Sequence, residues 1–409
     1  MKRVTIEDVV KEIKNVASIL EKDPQDVRFI DMKREGDIPA STISNLGGLT
    51  LIKDVFLLQD KDPSSIKDMQ DLRSVNRGFR RKLADRDNLL DRIEIGVSNM
   101  PPIKNSGYRA KKPKATYEKT LTNILSDTHF GLDLDPRETM HKYGAVEESR
   151  ALASIAKNLC EYKLDDRKRT SLVLNILGDM IENHLHSGGA QEELHLQVCR
   201  AIHLLVQYVE VASHHFPNVL VNFAVGNHGR DKSIHTQRAT ASKYNAVETS
   251  IYFAVRKAFR HAKNIKFNQP MTPWVDYKIH GHRFYATHGD TTFNVGSVGK
   301  TVSVGNILNM TNQINANQPE GEKYSVFMFG HLHQFMTMQL SNGVWIIGNG
   351  ALCPPNPFAQ TLDIMTSPQN QALFETTKMY PVGDIRAINA AGSENDESLD
   401  KIIQPWEGL

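Results

Sequence analysis

Residues 123–130 read NILSDTHF, and residues 174–183 read LNILGDMIEN. In both stretches a short apolar run leads straight into a turn that carries an aspartate. The same arrangement returns three times further along the chain, at Gly226-Asn227-His228, at His288-Gly289-Asp290 and at Gly330-His331-Leu332-His333. Helical stretches lie between several of these runs, so the pattern predicts a compact α/β region with a strand before each turn.

These polar turns are expected to converge, because ligands of α/β sheets bind in the crevice beyond the carboxyl ends of the strands. Carboxylates, an amide and imidazoles form a mixed oxygen and nitrogen set, which suits Mn, Fe or Zn and differs from a soft thiolate site. Alternate residues of an extended chain share a face, so Asp127 and His129 can point into one pocket. A single D-x-H is more often a surface turn, but five such turns in this order indicate a metal site.

Composition limits the class of protein more than it limits the partners. The chain has 409 residues and a net charge of +2, which argues neither for nor against nucleic acid. Its three cysteines, Cys160, Cys199 and Cys353, form no C-x-x-C pair, which excludes a disulfide scaffold and a cysteine-based zinc site. No apolar run approaches the roughly 20 residues of a membrane span. We expect a soluble, cytoplasmic protein without a membrane partner.

The ordered set D-x-H, G-D, G-N-H, a lone histidine and G-H-x-H resembles the calcineurin-like metallophosphoesterase superfamily. The resemblance covers about residues 119–388, and SDTHFG and LGDMIEN look most similar to the SbcD/Mre11-like DNA exonuclease branch and to phage-encoded relatives. It implies an α/β fold, a four-layer β-sandwich flanked by helices, and a metal-dependent phosphoesterase. A phage-encoded relative would act in the host cytoplasm.

The same resemblance implies two divalent transition ions, with manganese first and iron or zinc as alternatives. Their ligands would be Asp127, His129, Asp179 and His333 for the first ion, and Asp179, Asn227, His288 and His331 for the second, with Asp179 shared. His228 would be the acid that protonates the leaving oxygen or stabilises the transition state. Two cations roughly 3.5–4 Å apart activate a bridging water for in-line attack at phosphorus, so no nucleophilic side chain is required.

Basic side chains just beyond the third turn are candidates for holding the substrate phosphate, since cationic groups bind phosphate oxygens strongly. They are Arg230, Lys232, His235 and Arg238.

Two positions depart from the family pattern. Gly229 replaces the usual acid after G-N-H, so either Asp231 orients His228 or that ring is held differently. Glu182 either supports a ligand or is an acid at a helix N-terminus.

The sequence predicts a separate helical module over residues 1–60. Its first helix has Val9, Ile13 and Val16 on one side. Residues 35–54 resemble a helix-turn-helix half and the small repeats of some homing endonucleases; a docking or dimerisation module is the alternative. Residues 61–118 comprise a charged helix, 64–94, and a basic linker. That helix is either a connector or a homodimer seam. Residues 119–388 form the catalytic domain, and 389–409 an acidic tail expected to be poorly ordered.

Three functions from different classes remain after these observations. A DNA nuclease, whether exonuclease or endonuclease, combines the metal site with a DNA-binding module and a basic linker. A phosphodiesterase or phosphatase that acts on small molecules, cyclic nucleotides for instance, is the alternative. A non-catalytic binding protein on the same scaffold is disfavoured, because every expected ligand position is filled.

Overall fold

The computed structural model describes residues 6–21, 27–28, 31–32, 38, 119–139, 141–162, 170–183, 192–229, 246–270, 272–291, 303–357, 368–390 and 393–408. The chain divides into two compact units, residues 1–88 and 89–409. The described helices are α1 (Ile6–Ile19), α2 (Pro136–Thr139), α3 (Ala145–Glu161), α4 (Leu194–His215), α5 (Val247–Ala258) and α6 (Val304–Ala316). Within these ranges, no helix combines the length and the apolar composition needed to cross a bilayer.

The described strands all belong to the second unit. They are β1 (Lys119–Leu125), β2 (Thr170–Leu177), β3 (Val219–Ala224), β4 (Ile265–Asn268), β5 (Trp274–Ile279), β6 (His282–Thr287), β7 (Val326–Phe329), β8 (Met336–Gln339), β9 (Trp345–Gly348), β10 (Asn370–Thr377) and β11 (Ile385–Asn389). The apolar runs that precede the five polar turns lie in β1, β2, β3, β6 and β7, as predicted.

The first sheet has six strands in the order β11-β10-β1-β2-β3-β4. Strands β1 to β4 are parallel, and β10 and β11 are antiparallel to their neighbours. Residues of β2 alternate between the two faces: Leu172 and Leu174 pack with helices α3, α4 and α5, whereas Val173 packs against the second sheet. Because both faces are covered, residues 172–177 are apolar except for the buried Asn175, and they show no regular polar alternation.

The second sheet has five strands in the order β5-β6-β7-β9-β8. Phe284, Val326 and Met328 pack against Ile124 and Val173 of the first sheet. On the opposite face, Phe327 and Ile346 pack with Ile307 of α6. The layers are therefore helices, sheet, sheet and helix, which confirms the predicted α/β sandwich with flanking helices.

A β-hairpin turns at Ser341-Asn342-Gly343, residues of a type that favours tight turns between strands. Strands β8 and β9 pair antiparallel on either side of it, with Gln339 opposite Trp345. Gly343 adopts a φ of +83°, a left-handed backbone that glycine takes without steric cost, and its N–H bonds to the Leu340 carbonyl.

In the N-terminal unit, α1 is amphipathic as the sequence predicts. Val9, Ile13 and Val16 are fully buried, and they cluster with Val27 and Met32. Apart from Ile38, the helix-turn-helix-like segment (35–54) lies outside the described residues. The charged helix (64–94) and the basic linker up to residue 118 lie outside them as well. The DNA-binding and dimerisation predictions for this part therefore stay predictions.

The C-terminal tail differs from the expectation of poor order. Two 3-10 turns, Ser393–Asn395 and Glu397–Lys401, lie against α3. Leu399 and Ile403 are buried in the main core, and Asp400 pairs with Arg150 of α3 at 2.9 Å. The acidic composition suggested a solvated segment, but the apolar Leu399 and Ile403 fix it to the core. The prediction of a poorly ordered tail is wrong for residues 393–408.

Candidate metal centre

The seven predicted metal ligands and His228 follow strand ends that meet at one edge of the sandwich. Asp127 and His129 follow β1, Asp179 follows β2, and Asn227 and His228 follow β3, all from the first sheet. His288 follows β6, and His331 and His333 follow β7, from the second sheet. Residues that are up to about two hundred positions apart are thus brought together at the carboxyl ends of strands, as expected for an α/β fold.

The first group of candidate ligands centres on His129 and His333. Their Nε2 atoms lie 3.3 Å apart, and Nε2 of His333 lies 3.4 Å from Oδ1 of Asp127. Nδ1 of His129 donates to Oε2 of Glu182 at 2.7 Å, because a carboxylate only accepts. The lone pair of a neutral His129 ring is therefore on Nε2 and faces His333. Two imidazole nitrogens on one tetrahedral ion are about 3.3 Å apart, so this spacing fits a cation.

The second group centres on His288. Its Nε2 lies 3.1 Å from Oδ2 of Asp179 and 3.0 Å from Oδ1 of Asn227. Its Nδ1 donates to the Leu177 carbonyl at 2.8 Å, which directs Nε2 toward the site. Ligand atoms of Asp179, His288 and His331 all lie within 4.8 Å of one another.

Asp179 belongs to both groups. Its ligand atom also lies within 4.8 Å of ligand atoms of His129 and His228. The carboxylate is held in place by the backbone N–H of His228, which donates to Oδ1 at 2.7 Å. One buried carboxylate thus stands between two sets of donors, as a bridging ligand would.

The backbone at the predicted ligands is strained. Positive φ angles occur at five of them, namely Asp127 (54°), His129 (48°), Asp179 (54°), His331 (71°) and His333 (56°). A positive φ at a non-glycine residue costs on the order of 1–3 kcal/mol and persists only where the surrounding structure enforces it. A cluster of such residues at one place is typical of functional sites.

Two glycines permit the close approach of the loops. Gly178 has a φ of +84°, and a Cβ on it would lie 2.3 Å from the backbone nitrogen of Gly226. A Cβ on Gly330 would lie 2.5 Å from both Oδ2 of Asp127 and Oγ of Ser126. Any side chain at these positions would push the loops that carry the predicted ligands apart, which explains the glycines before Asp179 and His331.

Glu182 connects the two histidines with different predicted roles. Its carboxylate holds His129, and its backbone carbonyl accepts from Nδ1 of His228 at 2.7 Å. Its Oε2 also lies 3.6 Å from that nitrogen. Gly229 left two alternatives, that Asp231 orients His228 or that the ring is held in another way. The structure favours the second, because Glu182 holds the ring. Asp231 lies outside the described residues. A side chain at Gly229 would meet Glu248 at 2.7 Å, which accounts for the glycine.

Glu248 is a structural carboxylate that the sequence analysis missed. It lies in the first turn of α5, fully buried, and its oxygens accept from the backbone N–H groups of Met180 and Gly226 at 2.6 Å each. These residues adjoin Asp179 and Asn227. Burial, followed by the charge of Asp179, raises the pKa of Glu248 to about 7. No local motif marks this glutamate, because its partners are 22 and 68 residues away.

The loop after β9 is a second contribution that was not predicted. Asn349 donates to Oγ of Ser126 at 2.8 Å, and Ser126 donates to Oδ2 of Asp127. Further along the loop, the N–H of Leu352 bonds to the Asp127 carbonyl at 3.0 Å. Cys353 follows, and its sulfur lies within 4.8 Å of ligand atoms of His129 and His333. The sequence analysis excluded a cysteine-based zinc site because the three cysteines form no C-x-x-C pair, so Cys353 was not among the predicted site residues.

The charges of the site act on one another. Burial by itself raises the pKa of Asp179, but His288 and His228 hold it well below its usual value. Burial by itself lowers the pKa of His288, but Asp179 raises it to about 10. Burial, assisted by the charge of His288, lowers the pKa of His331 to about 4. His228 has a raised pKa, because Asp179 and Glu182 outweigh its burial.

The four predicted phosphate-binding residues, Arg230, Lys232, His235 and Arg238, lie outside the described residues. The structure therefore assigns them no position, and their role stays a prediction.

Comparisons with known proteins give distant likenesses only. The sequence matches no protein-family model, and the search of curated proteins found no match. Calcineurin-like metallophosphoesterases are among the solved structures that the chain is similar to. A dimetal phosphatase from Danio rerio is 9% identical, covers 66% of this chain and 99% of its own, and gives a TM-score of 0.31. The calcineurin-like phosphoesterase YfkN from Bacillus subtilis is 12% identical, covers 70% of this chain and 96% of its own, and gives a TM-score of 0.30.

A 5′-nucleotidase precursor from Thermus thermophilus is 10% identical, covers 66% of this chain and 54% of its own, and gives a TM-score of 0.29. At such low identities and scores, the chemistry of this chain has to be derived from its own side chains. The resemblance to the SbcD/Mre11-like branch stays a prediction.

Proposed function

We propose that the protein is a phosphodiesterase that uses two divalent transition ions, manganese foremost, and that its substrate is DNA. One observation carries the proposal: two groups of carboxylate, imidazole and amide donors share the buried carboxylate of Asp179. The first position would be formed by Asp127, His129, Asp179 and His333, and the second by Asp179, Asn227, His288 and His331.

The chain's own groups prepare this site for phosphoester chemistry. When bound, the two cations lower the pKa of a water and stabilise charge on the attacking and leaving oxygens. Asp127 and Asp179 supply negative charge to hold the cations, and Glu182 fixes the tautomer of His129. His228 is held through Nδ1 by the Glu182 carbonyl, which leaves Nε2 to carry a proton toward the leaving oxygen.

The choice of DNA as the substrate is supported by the sequence outside the metal centre. Between Lys104 and Lys119 there are six Lys and Arg residues and one acid, and residues 35–54 resemble a helix-turn-helix half. A basic segment next to a phosphodiesterase centre would neutralise backbone phosphates and keep DNA near the site.

A panel of substrates tests the proposal. The full-length protein is incubated with Mn²⁺ and single-stranded, duplex and circular DNA, beside bis-p-nitrophenyl phosphate and cyclic nucleotides. We expect metal-dependent cleavage of the activated diester and of DNA, and cleavage of circular DNA would identify an endonuclease. Hydrolysis of cyclic nucleotides with intact DNA would support the small-molecule alternative. A complete lack of hydrolysis would contradict the phosphodiesterase proposal.

The linker offers a second test that leaves the metal centre unchanged. Replacing Lys111, Lys112 and Lys114 with Gln in the full chain should weaken duplex DNA binding. Each lost phosphate contact should also reduce the slope of log affinity against log salt by about 0.9. Hydrolysis of bis-p-nitrophenyl phosphate should stay within about twofold of the wild type, because the ligands all lie beyond Asn123. Equal salt slopes in the two proteins would contradict a role for the linker in DNA binding.

A further inference from the structure

Cys353 lies on the wall of the first metal position. It is 4% exposed and follows Leu352, whose N–H bonds to the carbonyl of Asp127 at 3.0 Å. Its Sγ, one ring nitrogen of His129 and one ring nitrogen of His333 lie within 4.8 Å of one another. Three chain segments, after β1, β7 and β9, thus bring one sulfur and two nitrogen donors to the same place.

The other side of Cys353 is apolar. It packs there with Leu132, Leu134 and Tyr143. A cysteine that only filled this core would behave as a small hydrophobic residue. The convergence with two imidazoles, one of which already presents a lone pair toward the other, is what distinguishes Cys353 from a core residue.

We propose that the sulfur of Cys353 is a further ligand of the cation held by His129 and His333. A cation that binds a thiol deprotonates it. On a tetrahedral ion, sulfur and imidazole nitrogen are roughly 3.6 Å apart, so a small adjustment of the Cys353 side chain completes the contact. The inference rests on the proposed dimetal centre but not on DNA as the substrate.

A sulfur ligand has a chemical consequence. Thiolates select softer ions, whereas carboxylates and amides suit Mn²⁺. Both positions would accept Mn²⁺, but their relative affinities would differ. The position next to Cys353 would have the higher ratio of Zn²⁺, Co²⁺ or Cd²⁺ affinity to Mn²⁺ affinity, compared with the position formed by Asn227, His288 and His331.

Cobalt substitution tests this inference without measuring activity. Protein loaded with two Co²⁺ ions should show a sulfur-to-cobalt charge-transfer band in the near ultraviolet. Cys353→Ser should bind two Co²⁺ ions and lack the band. Cys199→Ser, which changes a half-buried cysteine on α4, is the matched control and should keep it. In competition, the ratio of Cd²⁺ to Mn²⁺ affinity should fall by about tenfold or more in Cys353→Ser only.

The outcomes separate the two proposals. Two bound cobalt ions without a charge-transfer band in the wild type would overturn the role of Cys353 and leave the dimetal centre intact. No bound cobalt would contradict the dimetal centre itself. Should Cys353→Ser fail to fold, X-ray absorption of the zinc-loaded wild type decides. We expect one zinc–sulfur bond, of about 2.3 Å, for every two zinc ions bound, because only one of the two positions has a sulfur ligand. A spectrum with nitrogen and oxygen only would overturn the inference.

Discussion

Nδ1 of His129 donates a hydrogen bond of 2.7 Å to Oε2 of Glu182, and both side chains are almost completely shielded from solvent. This contact fixes which nitrogen of His129 carries the proton and leaves Nε2 to face His333. A carboxylate behind a metal-binding histidine also holds the ring in the orientation that binds a cation. Glu182 would thus affect the proposed metal centre without being one of its ligands.

Glu182→Gln should lower cation affinity at the first position by about 10–100-fold, because the amide is a weaker acceptor and can present its N–H₂ group to the ring. Metal titration by calorimetry would measure the change. Glu320→Gln, an exposed change on the same chain, is the control and should bind as the wild type does. Unchanged affinity in Glu182→Gln would contradict the role assigned to this carboxylate.

His228→Asn should retain both cations and bind substrate while turnover falls by about 10²–10⁴-fold, the usual contribution of a general acid. The ring is held by the Glu182 carbonyl at 2.7 Å, but a ligand atom of His228 also lies within 4.8 Å of those of His129 and Asp179. Elemental analysis beside kcat therefore distinguishes the two roles. Loss of a cation from this variant would show that His228 is a ligand.

The sequence predicts the parts of the fold and site that depend on local patterns. Apolar runs ending in polar turns predict the strands before Asp127, Asp179 and His288, since a strand covered on both faces has no polar alternation. The hairpin at Gly343 follows from its turn residues. Glu248 and Cys353 are different, because they contact the site only after distant loops meet. The tail shows a further limit, since Leu399 and Ile403 outweigh its acidic composition.

Cation affinity at the second position should increase with pH. Burial opposes protonation of His288, but Asp179 raises its pKa to about 10, so at neutral pH a cation must displace a proton from this ring. One displaced proton increases affinity by up to about tenfold per pH unit below pH 10. His331, with a pKa lowered to about 4, is already neutral above about pH 5 and adds no further pH dependence to the cation affinity there.

Calorimetric titration with Mn²⁺ at pH 6.5 and 7.5, in buffers of different protonation enthalpy, measures the protons released. We expect about one proton for the second position. Binding that is independent of pH over this range would contradict the assignment of His288 as a ligand.

Glu248→Ala should reduce the free energy of unfolding by about 2 kcal/mol or more, because it leaves the buried N–H groups of Met180 and Gly226 without an acceptor. Chemical denaturation at pH 8, without added metal, would measure it. Glu161→Ala, at the exposed end of α3, should stay within about 0.5 kcal/mol of the wild type. Equal stability of the two variants would show that Glu248 does not hold the loops.

Two divalent cations are expected to share Asp179. The most direct measurement is the number of cations per chain after loading with Mn²⁺ and removal of the excess, in the wild type and in Asp179→Asn. We expect two in the wild type. The variant should retain fewer than two, because the amide lacks the charge that attracts both ions, and its loss of phosphodiesterase activity should accompany the loss of metal. A wild-type protein that holds one ion or none, or an Asp179→Asn variant that holds two and hydrolyses substrate normally, would contradict the claim.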